Sequence, residues 1–347
     1  MGIIFNKYRS GINLGGWVSQ CSMEKEHIKT FIKKEDIKKI ASWGLDHIRL
    51  PFDYPILEDD NNPFHYKEDG FEIIDNLLCW CKEYSLNLII DMHMAPGYAF
   101  YNDANDNVLF SDENVQKRFI SIWQELAKRY IKERDNIIFE LLNEIVDAHG
   151  AVWNNNARKT IEGIRSIDDK RYILLGGANY NSVNELNNLE IYDDDHIIYN
   201  FHFYEPFLFT HQRAGWTPLK NIDINQPYPG KIEGMEKLKE YFKDKKPDQG
   251  KSMTPDIIFD KNFLLHMISP AVKFAEQTKK ELYCGEYGAI ELADLESRIK
   301  YMFDINEIFE QNKFGRALWS YKGMNFSTID ENGNSISKDF VKAMSVK

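Results

Sequence analysis

Short apolar runs alternate with longer amphipathic stretches along most of the chain, and this alternation constrains the fold more than any other feature. Eight runs read as strands, at residues 11–14, 47–50, 86–90, 137–139, 172–175, 197–201, 282–284 and 317–319. Helical patterns lie between them, at 71–83, 114–132, 152–167, 262–278 and 294–311. Near-continuous apolar strands that alternate with amphipathic helices are typical of a parallel sheet covered by helices.

The number of strand–helix units favours a closed (β/α)8 TIM barrel over an open, doubly wound sheet. No glycine-rich dinucleotide fingerprint follows the first strand, which also weighs against the open sheet. The chain has 347 residues, and barrels of about 250 residues reach this length when they carry insertions. We therefore predict one (β/α)8 domain that spans residues 1–347.

One connection is much longer than the others. Between strands six and seven, residues 206–260 replace the expected short loop and include a helical pattern at 233–242. The stretch is rich in proline, at Pro206, Pro218, Pro227, Pro229, Pro247 and Pro255. Loops of this length in compact domains are usually functional or form small subdomains. We predict a small subdomain at 206–260, inserted after strand six; a tolerated surface insertion is the alternative.

Composition excludes several classes of partner. The net charge is −11 and no basic block occurs, which argues against nucleic acid and anionic membranes as partners. The four cysteines form neither a disulfide framework nor a metal-binding spacing, so we expect free, buried thiols. No apolar run approaches the ~18 residues of a membrane span, and no signal peptide is evident. We expect a monomer that is cytoplasmic, or exported by a signal absent from this sequence.

Two glutamates each stand where a predicted strand stops. Glu144 follows the run at 137–139, and Glu286 follows the run at 282–284. In a barrel of this kind the carboxyl ends of all strands meet at one rim, where chemistry takes place. Two carboxylates at one rim suit glycoside hydrolysis, in which one protonates the leaving oxygen and the other attacks the sugar or activates water.

Other strand ends are also polar or aromatic. They carry Arg49 on strand two, His93 on three, Asn143 on four, His202 and Tyr204 on six, and Trp319 on eight. With Glu286 on strand seven, six strand ends that converge on one rim carry such groups, and packing alone does not explain this. We therefore predict that these residues surround the two glutamates.

These segments resemble glycoside hydrolase family five, the retaining cellulase-type barrels, and within it the clostridial endoglucanase C type. The matching motifs are GINLGGW at 11–17, HIRLPFDYP at 47–55, DMH at 91–93, FELLNE at 139–144, YNFHFY at 199–204, GEYG at 285–288 and WSY at 319–321. They cover nearly the whole chain and occur in the family's order. One departure is Ile145, where the family often has proline, and it concerns the loop after Glu144.

The resemblance implies a role for each catalytic glutamate and for its neighbours. Glu144 would be the general acid/base and Glu286 the nucleophile. Arg49 and Tyr204 would supply the cation and the hydrogen-bond donor that an ionised nucleophile needs. Glu140 shares strand parity with Glu144 but lies deeper in the barrel, so we expect a supporting role for it. If Arg49 instead forms a structural ion pair, Glu140 is its expected partner.

The remaining residues would bind the substrate. Asn143 would hydrogen-bond the sugar 2-hydroxyl, His93 and His202 would hold hydroxyl groups and the two glutamates, and Trp319 would form the floor beneath the attacked sugar. In the insertion, Trp216 is a candidate sugar platform. Weaker candidates, for which loop packing is the expected role, are Tyr98, Phe100, Tyr101, Phe207 and Phe209. Asn13 and Trp17, at the end of strand one, are similarly uncertain candidates.

The leading hypothesis is a retaining endo-β-glucanase that acts by double displacement without a metal or other cofactor. Its partner would be a β-glucan oligo- or polysaccharide with β-1,4 or mixed β-1,3-1,4 linkages. Within the same family, a mannanase, a xyloglucanase or an exo-β-1,3-glucanase is the alternative. Two other classes stay open: a metal-dependent barrel hydrolase that uses His93, His202 and a carboxylate, and a non-catalytic glycan-binding barrel.

Overall fold

The computed structural model describes residues 2–102, 106–146, 150–242 and 256–345, and eight parallel strands form its centre. The strands are β1 (Ser10–Asn13), β2 (His47–Asp53), β3 (Asn87–Ala95), β4 (Ile137–Glu140), β5 (Ile173–Gly176), β6 (Ile197–Phe203), β7 (Leu282–Tyr287) and β8 (Gly315–Leu318). Each strand pairs with the next, and β8 pairs with β1, so the sheet closes on itself. The predicted (β/α)8 barrel is confirmed.

Helices lie before β1, in the connections between the strands and after β8. They are α1 (Ile3–Lys7), α2 (Lys25–Phe31), α3 (Lys34–Ser42), α4 (Glu68–Glu83), α5 (Glu113–Arg129), α6 (Gly150–Arg165), α7 (Phe207–Thr210), α8 (Met235–Phe242), α9 (Lys261–Thr278), α10 (Leu295–Asn312) and α11 (Lys338–Met344). Within the described ranges, no helix has the length and apolar character needed to cross a membrane.

Amphipathic helices cover the outside of the barrel. On α5, Phe119, Trp123 and Leu126 recur at helical spacing and are buried in the main hydrophobic cluster. The helix begins at Asp112, whose side chain accepts hydrogen bonds from the backbone N–H groups of residues 114 and 115. The helical pattern predicted at 114–132 thus arises from one apolar stripe and one N-cap.

The interior of the barrel changes character from its amino end to its carboxyl end. Because side chains alternate along a strand, residues two apart point to the same side. Near the amino end the interior is apolar, with Ile4, Tyr8, Ile89, Ile138, Leu174, Ile198, Tyr283 and Ala317 in one cluster. Two residues further along the strands the interior is polar, with Asn13, Arg49, Asp91, Glu140 and Asn200 fully buried. This polar layer lies directly below the rim.

The long connection between β6 and α9 packs against the barrel. It contains α7, α8 and a short antiparallel pair formed by Gly230–Lys231 and Ile258–Phe259. Phe209 and Tyr228 are buried in the main hydrophobic cluster, and the Tyr228 hydroxyl donates to Asp304 on α10 at 2.8 Å. Phe209 therefore has the loop-packing role expected of it. The subdomain boundaries at 206–260 stay a prediction, since residues 243–255 lie outside the described residues.

The four cysteines are free, but they are not all buried. Cys81 and Cys284 are buried, whereas Cys21 is partly exposed and Cys79 is exposed. The expectation of four buried thiols is therefore wrong for two of them. Cys79 and Cys81 are two residues apart on α4, so they point to different sides of the helix, and only Cys81 faces the barrel.

Candidate active site

Arg49 on β2 is the centre of the polar layer. Its Nε and Nη2 donate to the two carboxylate oxygens of Glu140 at 2.7 and 2.8 Å, which confirms the predicted pairing. Its Nη1 donates to Glu286 Oε1 at 2.9 Å and to Asn13 Oδ1 at 2.8 Å, and its Nη2 lies 3.0 Å from Asp91 Oδ2. One fully buried guanidinium therefore faces three carboxyl groups.

Burial and charge oppose each other in this layer. Burial alone would lower the pKa of Arg49, but Asp91 and Glu140 outweigh it and hold that pKa well above its usual value. Burial raises the pKa of Asp91 to about 7, although Arg49 opposes the shift. Burial likewise raises the pKa of Glu140, again against Arg49. The carboxyl groups thus depend on one cation for the stability of their ionised forms.

Glu286 has a hydrogen-bond donor on each carboxylate oxygen. Arg49 donates to Oε1, and the Tyr204 hydroxyl donates to Oε2 at 2.9 Å. The register of β7 shifts between Cys284 and Glu286, which places the glutamate at the inner rim. Gly285 leaves room for this, since a Cβ there would lie 2.9 Å from Asn200 Oδ1. Two fixed donors hold the carboxyl group of Glu286 in one orientation.

Glu144 has a different environment. Its side chain is 14% exposed at the mouth of the barrel, and its Oε1 lies 2.9 Å from His202 Nδ1. Burial raises the pKa of Glu144 to about 7; His93 and Arg49 oppose the rise, and Glu140 adds to it. The two glutamates therefore differ in their partners: Arg49 and Tyr204 hold Glu286, whereas His202 contacts Glu144.

The two carboxylates lie close together, with His202 beside them. One donor atom from each of Glu144, His202 and Glu286 lies within 4.8 Å of the other two, an arrangement that could also hold a metal ion. His93, proposed above as a metal ligand, is not part of this group among the described residues. Its Nδ1 instead faces Asp91 Oδ2 at 2.8 Å.

Asn143 and Trp319 complete the rim. Asn143 Oδ1 accepts from Arg49 Nη2 at 3.0 Å, whereas its buried Nδ2 has no hydrogen-bond partner within the described part of the chain. The ring of Trp319 stacks on that of His93 at 5.7 Å with an interplanar angle of 6°. A close approach to Gly15 fixes the indole, since a Cβ there would lie 2.8 Å from it.

Trp216 lies outside this hydrogen-bonded group. Its side chain is 57% exposed, and its ring contacts the rings of His211 and Phe326 at 6.2 and 6.5 Å. Both of these rings also contact Tyr204. The structure thus brings six of the seven other candidate residues together around the two glutamates and connects the seventh, Trp216, to them through aromatic contacts.

The hydroxyl group of Tyr98 holds the loop of Glu144, and the sequence did not predict this role. The buried Tyr98 hydroxyl donates to the carbonyl oxygen of Glu144 at 2.7 Å and accepts from the N–H of Val146 at 2.8 Å. Between these contacts Glu144 has φ of 40°, in the left-handed region that non-glycine residues rarely occupy. We had expected Tyr98 to pack within its loop, and it also holds the backbone of a candidate acid.

The supporting residues Asp91 and Asn200 were also missed, although the sequence does contain a signal for them, whereas Asn13 was a weak candidate that the structure places in the same buried layer. Asp91 and Asn200 are polar residues within apolar strand runs, and each lies two positions after a residue of the apolar cluster near the amino end of the barrel. Asn200 donates to Glu140 Oε1 at 2.7 Å and accepts from the N–H of Gly285 at 2.9 Å. Period-two alternation assigns such residues to the barrel interior.

Comparison with known proteins gives consistent matches. A sequence model of the family described as "Cellulase (glycosyl hydrolase family 5)" matches residues 9–325. "Endoglucanase C" of Acetivibrio thermocellus is 47% identical over 97% of this chain and 98% of its own length. "Cellodextrinase A" of Ruminococcus flavefaciens is 38% identical over 88% of this chain and 83% of its own length.

A solved structure is also similar over the whole chain. The endoglucanase Cel5A of Thermotoga maritima superimposes with a TM-score of 0.75 at 25% identity, covering 99% of this chain and 100% of that one. Its solved structures include a complex with mannotriose as substrate.

Proposed function

This chain belongs to glycosyl hydrolase family 5, as predicted, and from this premise we propose that it is an endo-β-glucanase that retains anomeric configuration. One observation carries the proposal: two carboxylates with opposite environments approach within 4.8 Å at the rim. Retaining glycosidases place their carboxyl groups about 5–5.5 Å apart, whereas inverting ones leave about 6.5–9.5 Å for a water molecule. The close pair supports double displacement.

In the first step Glu286 attacks the anomeric carbon while Glu144 gives its proton to the leaving oxygen. The new bond joins a Glu286 oxygen to the sugar, the glycosidic bond breaks, and the leaving chain departs as an alcohol. Arg49 and Tyr204 hold the attacking carboxylate in one orientation. A pKa of about 7 keeps a large fraction of Glu144 protonated near neutrality.

In the second step a water molecule attacks the same carbon and gives its proton to Glu144. Formation of the glycosyl ester has removed the negative charge of Glu286, which lies within 4.8 Å of Glu144. Loss of that charge favours the ionised form of Glu144, so the residue can now act as a base. Release of the sugar restores both carboxyl groups.

The rim also carries a hydrogen-bond donor and aromatic rings that take no part in the two steps and are available to contact the substrate. The free Nδ2 donor of Asn143 suits the sugar 2-hydroxyl, a contact that strengthens in the transition state. Trp319 and His93 present stacked rings next to the two glutamates. The exposed Trp216 suits a sugar further along the chain.

The names of the relatives support β-glucan as the substrate class. The proposed linkages within it are β-1,4 or mixed β-1,3-1,4. The same-family alternatives are a mannanase, a xyloglucanase and an exo-β-1,3-glucanase. The mannotriose complex of the Thermotoga protein is a specific reason to include mannan. Product profiling on cellulose, mixed-linkage glucan, laminarin, xyloglucan and mannan should show internal cleavage of the first two; preferred release of mannose oligomers would contradict the assignment.

The two roles are separable by substitution. Glu286→Ala should abolish turnover, and azide should restore it with an azide product of inverted configuration. Glu144→Ala should spare kcat/KM, which reports the first step, on an aryl cellobioside with a good leaving group, because that group needs no proton, and should lower kcat/KM on cellotetraose. Equal losses of Glu144→Ala on both substrates would contradict its role as the acid.

A further inference from the structure

The turn after β5 has an unusual backbone conformation. Residues Asn179, Tyr180 and Asn181 all have left-handed φ values, of 50°, 59° and 52°. Non-glycine residues rarely adopt this conformation, and such strain persists only where the surrounding structure imposes it, often at functional sites. The turn also contacts the loop of the candidate acid, since the N–H of Tyr180 donates to the carbonyl oxygen of Ile145 at 3.2 Å.

Asn181 ends this turn, and its side chain is fully buried. Its Nδ2 lies 3.3 Å from Nε2 of His202. Gly176, the last residue of β5, makes room for it, because a Cβ there would lie 2.6 Å from Asn181 Oδ1 and 2.7 Å from Nδ2. A residue larger than glycine at position 176 would therefore displace the Asn181 amide from the imidazole nitrogen of His202.

We propose that Asn181 is a positioning residue that sets the tautomer of His202 and, through it, the oxygen of Glu144 that carries the catalytic proton. The inference rests on the proposed role of Glu144 as the acid. A neutral imidazole carries one N–H. If the Asn181 amide donates to Nε2, that hydrogen is on Nδ1, and it is donated to Glu144 Oε1 at 2.9 Å.

The consequence concerns the two oxygens of Glu144. Oε1 accepts the hydrogen bond from His202, so the carboxylic acid proton resides on Oε2. Oε2 is then the atom that protonates the leaving oxygen, and the same atom receives the proton of water in the second step. A general acid acts efficiently when the atom that gives the proton is held in a fixed position relative to the leaving oxygen.

The proposed tautomer requires that the ring of His202 stay neutral. Burial lowers the pKa of His202 to about 4; the charges of Glu286 and Glu140 oppose this shift, and Arg49 and His93 add to it. An amide suits a neutral ring, because it neither demands a second N–H nor attracts a proton. A carboxylate at position 181 would instead favour hydrogen on Nε2 or a doubly protonated ring.

The tautomer is measurable on the wild-type protein. A ¹⁵N–¹H multiple-bond correlation spectrum of histidine-labelled protein distinguishes Nδ1–H from Nε2–H rings. The chain contains nine histidines, and the signal of His202 is identified by its loss in His202→Gln. We expect Nδ1–H for His202 from pH 6 to 8. An Nε2–H ring in the active wild type would overturn the inference, whatever any variant does.

Kinetics test the consequence. Asn181→Asp should convert His202 to the Nε2–H or doubly protonated form and lower kcat/KM on cellotetraose by about ten-fold or more. On dinitrophenyl cellobioside, which needs no acid, the loss should stay below about three-fold. Asn181→Leu removes the donor at similar volume, and the same unequal pattern is expected. Equal losses on both substrates in folded variants would reduce Asn181 to a packing residue.

Failure of the proposed function would look different. In that case the wild type would cleave no β-glycoside of the panel, or Glu144→Ala would lose activity equally on both substrates. An active enzyme with an intact acid role but the wrong His202 tautomer refutes this inference alone.

Discussion

Tyr98→Phe removes one oxygen atom and tests how the acid is held. The hydroxyl of Tyr98 links the carbonyl oxygen of Glu144 to the N–H of Val146 at 2.7 and 2.8 Å. Between them Glu144 has φ of 40°. Without the hydroxyl, the strained backbone can relax and carry the Glu144 carboxyl away from the leaving oxygen.

The magnitude follows from these contacts. Two hydrogen bonds are each worth about 1 kcal/mol net, and relief of a left-handed residue returns roughly 1 kcal/mol. The free energy of unfolding should therefore fall by about 1–2 kcal/mol. With an unfolding entropy of about 2.1 cal/mol/K per residue, the melting temperature should fall by roughly 1–3 °C.

The catalytic effect should be larger than the effect on stability. A displacement of about 1 Å in a catalytic group can cost about 100-fold in rate. We expect kcat/KM on cellotetraose to fall by about 10- to 100-fold, and on dinitrophenyl cellobioside by less than about three-fold, because only the first substrate needs the acid. Both values come from steady-state kinetics, with the melting temperature measured by calorimetry.

Tyr130→Phe is the matched control. Tyr130 is also a buried tyrosine, and its hydroxyl donates to Asp75 at 2.8 Å, away from the residues of the active site. It should lower the melting temperature by a similar amount and leave kcat/KM unchanged on both substrates. If Tyr98→Phe behaves like this control, the hydroxyl of Tyr98 does not position the acid.

Three further outcomes are expected. Burial raises the pKa of Glu144 to about 7, so kcat/KM on cellotetraose should fall as the pH rises above about 7 and the acid loses its proton; an unchanged rate to pH 9 would contradict this. Trp216→Ala should lower kcat/KM more on long glucans than on aryl cellobiosides, whereas Phe64→Ala, which removes another exposed aromatic ring, should change neither; equal losses would leave Trp216 without a sugar contact. EDTA should not lower the rate, and added Zn²⁺ should inhibit competitively because Glu144, His202 and Glu286 offer it donor atoms within 4.8 Å of one another; activation by a metal would support the metal-dependent class.

The barrel and its rim were predictable because both follow from periodicity. Alternation of strands and helices fixed the fold class, and the ends of parallel strands must meet at one rim. Residues at those ends, such as Arg49 and Glu286, therefore had to converge. The pairing of Arg49 with Glu140 was predictable because Glu140 shares strand parity with Glu144 and lies one layer deeper.

The residues that sequence reasoning missed act through loop conformation. Tyr98 and Asn181 lie beyond strand ends, where no periodicity relates them to Glu144 or His202. Their positions depend on left-handed backbone at Glu144 and Asn181, which propensities do not predict for these residue types. The packing of the described part of the 206–260 segment was equally unpredictable from the sequence, because the contact of Tyr228 with Asp304 on α10 is a tertiary contact.

Double displacement requires that Glu286 form a covalent bond to the sugar. A 2-deoxy-2-fluoro cellobioside with a dinitrophenyl leaving group slows the second step more than it slows the first, so the glycosyl-enzyme accumulates. Peptide mapping by mass spectrometry of the inactivated protein then locates the added mass. We expect one fluorocellobiosyl group on Glu286, with activity recovered as the ester hydrolyses. A label on another residue, or no label together with a first-formed product of inverted configuration, would contradict it.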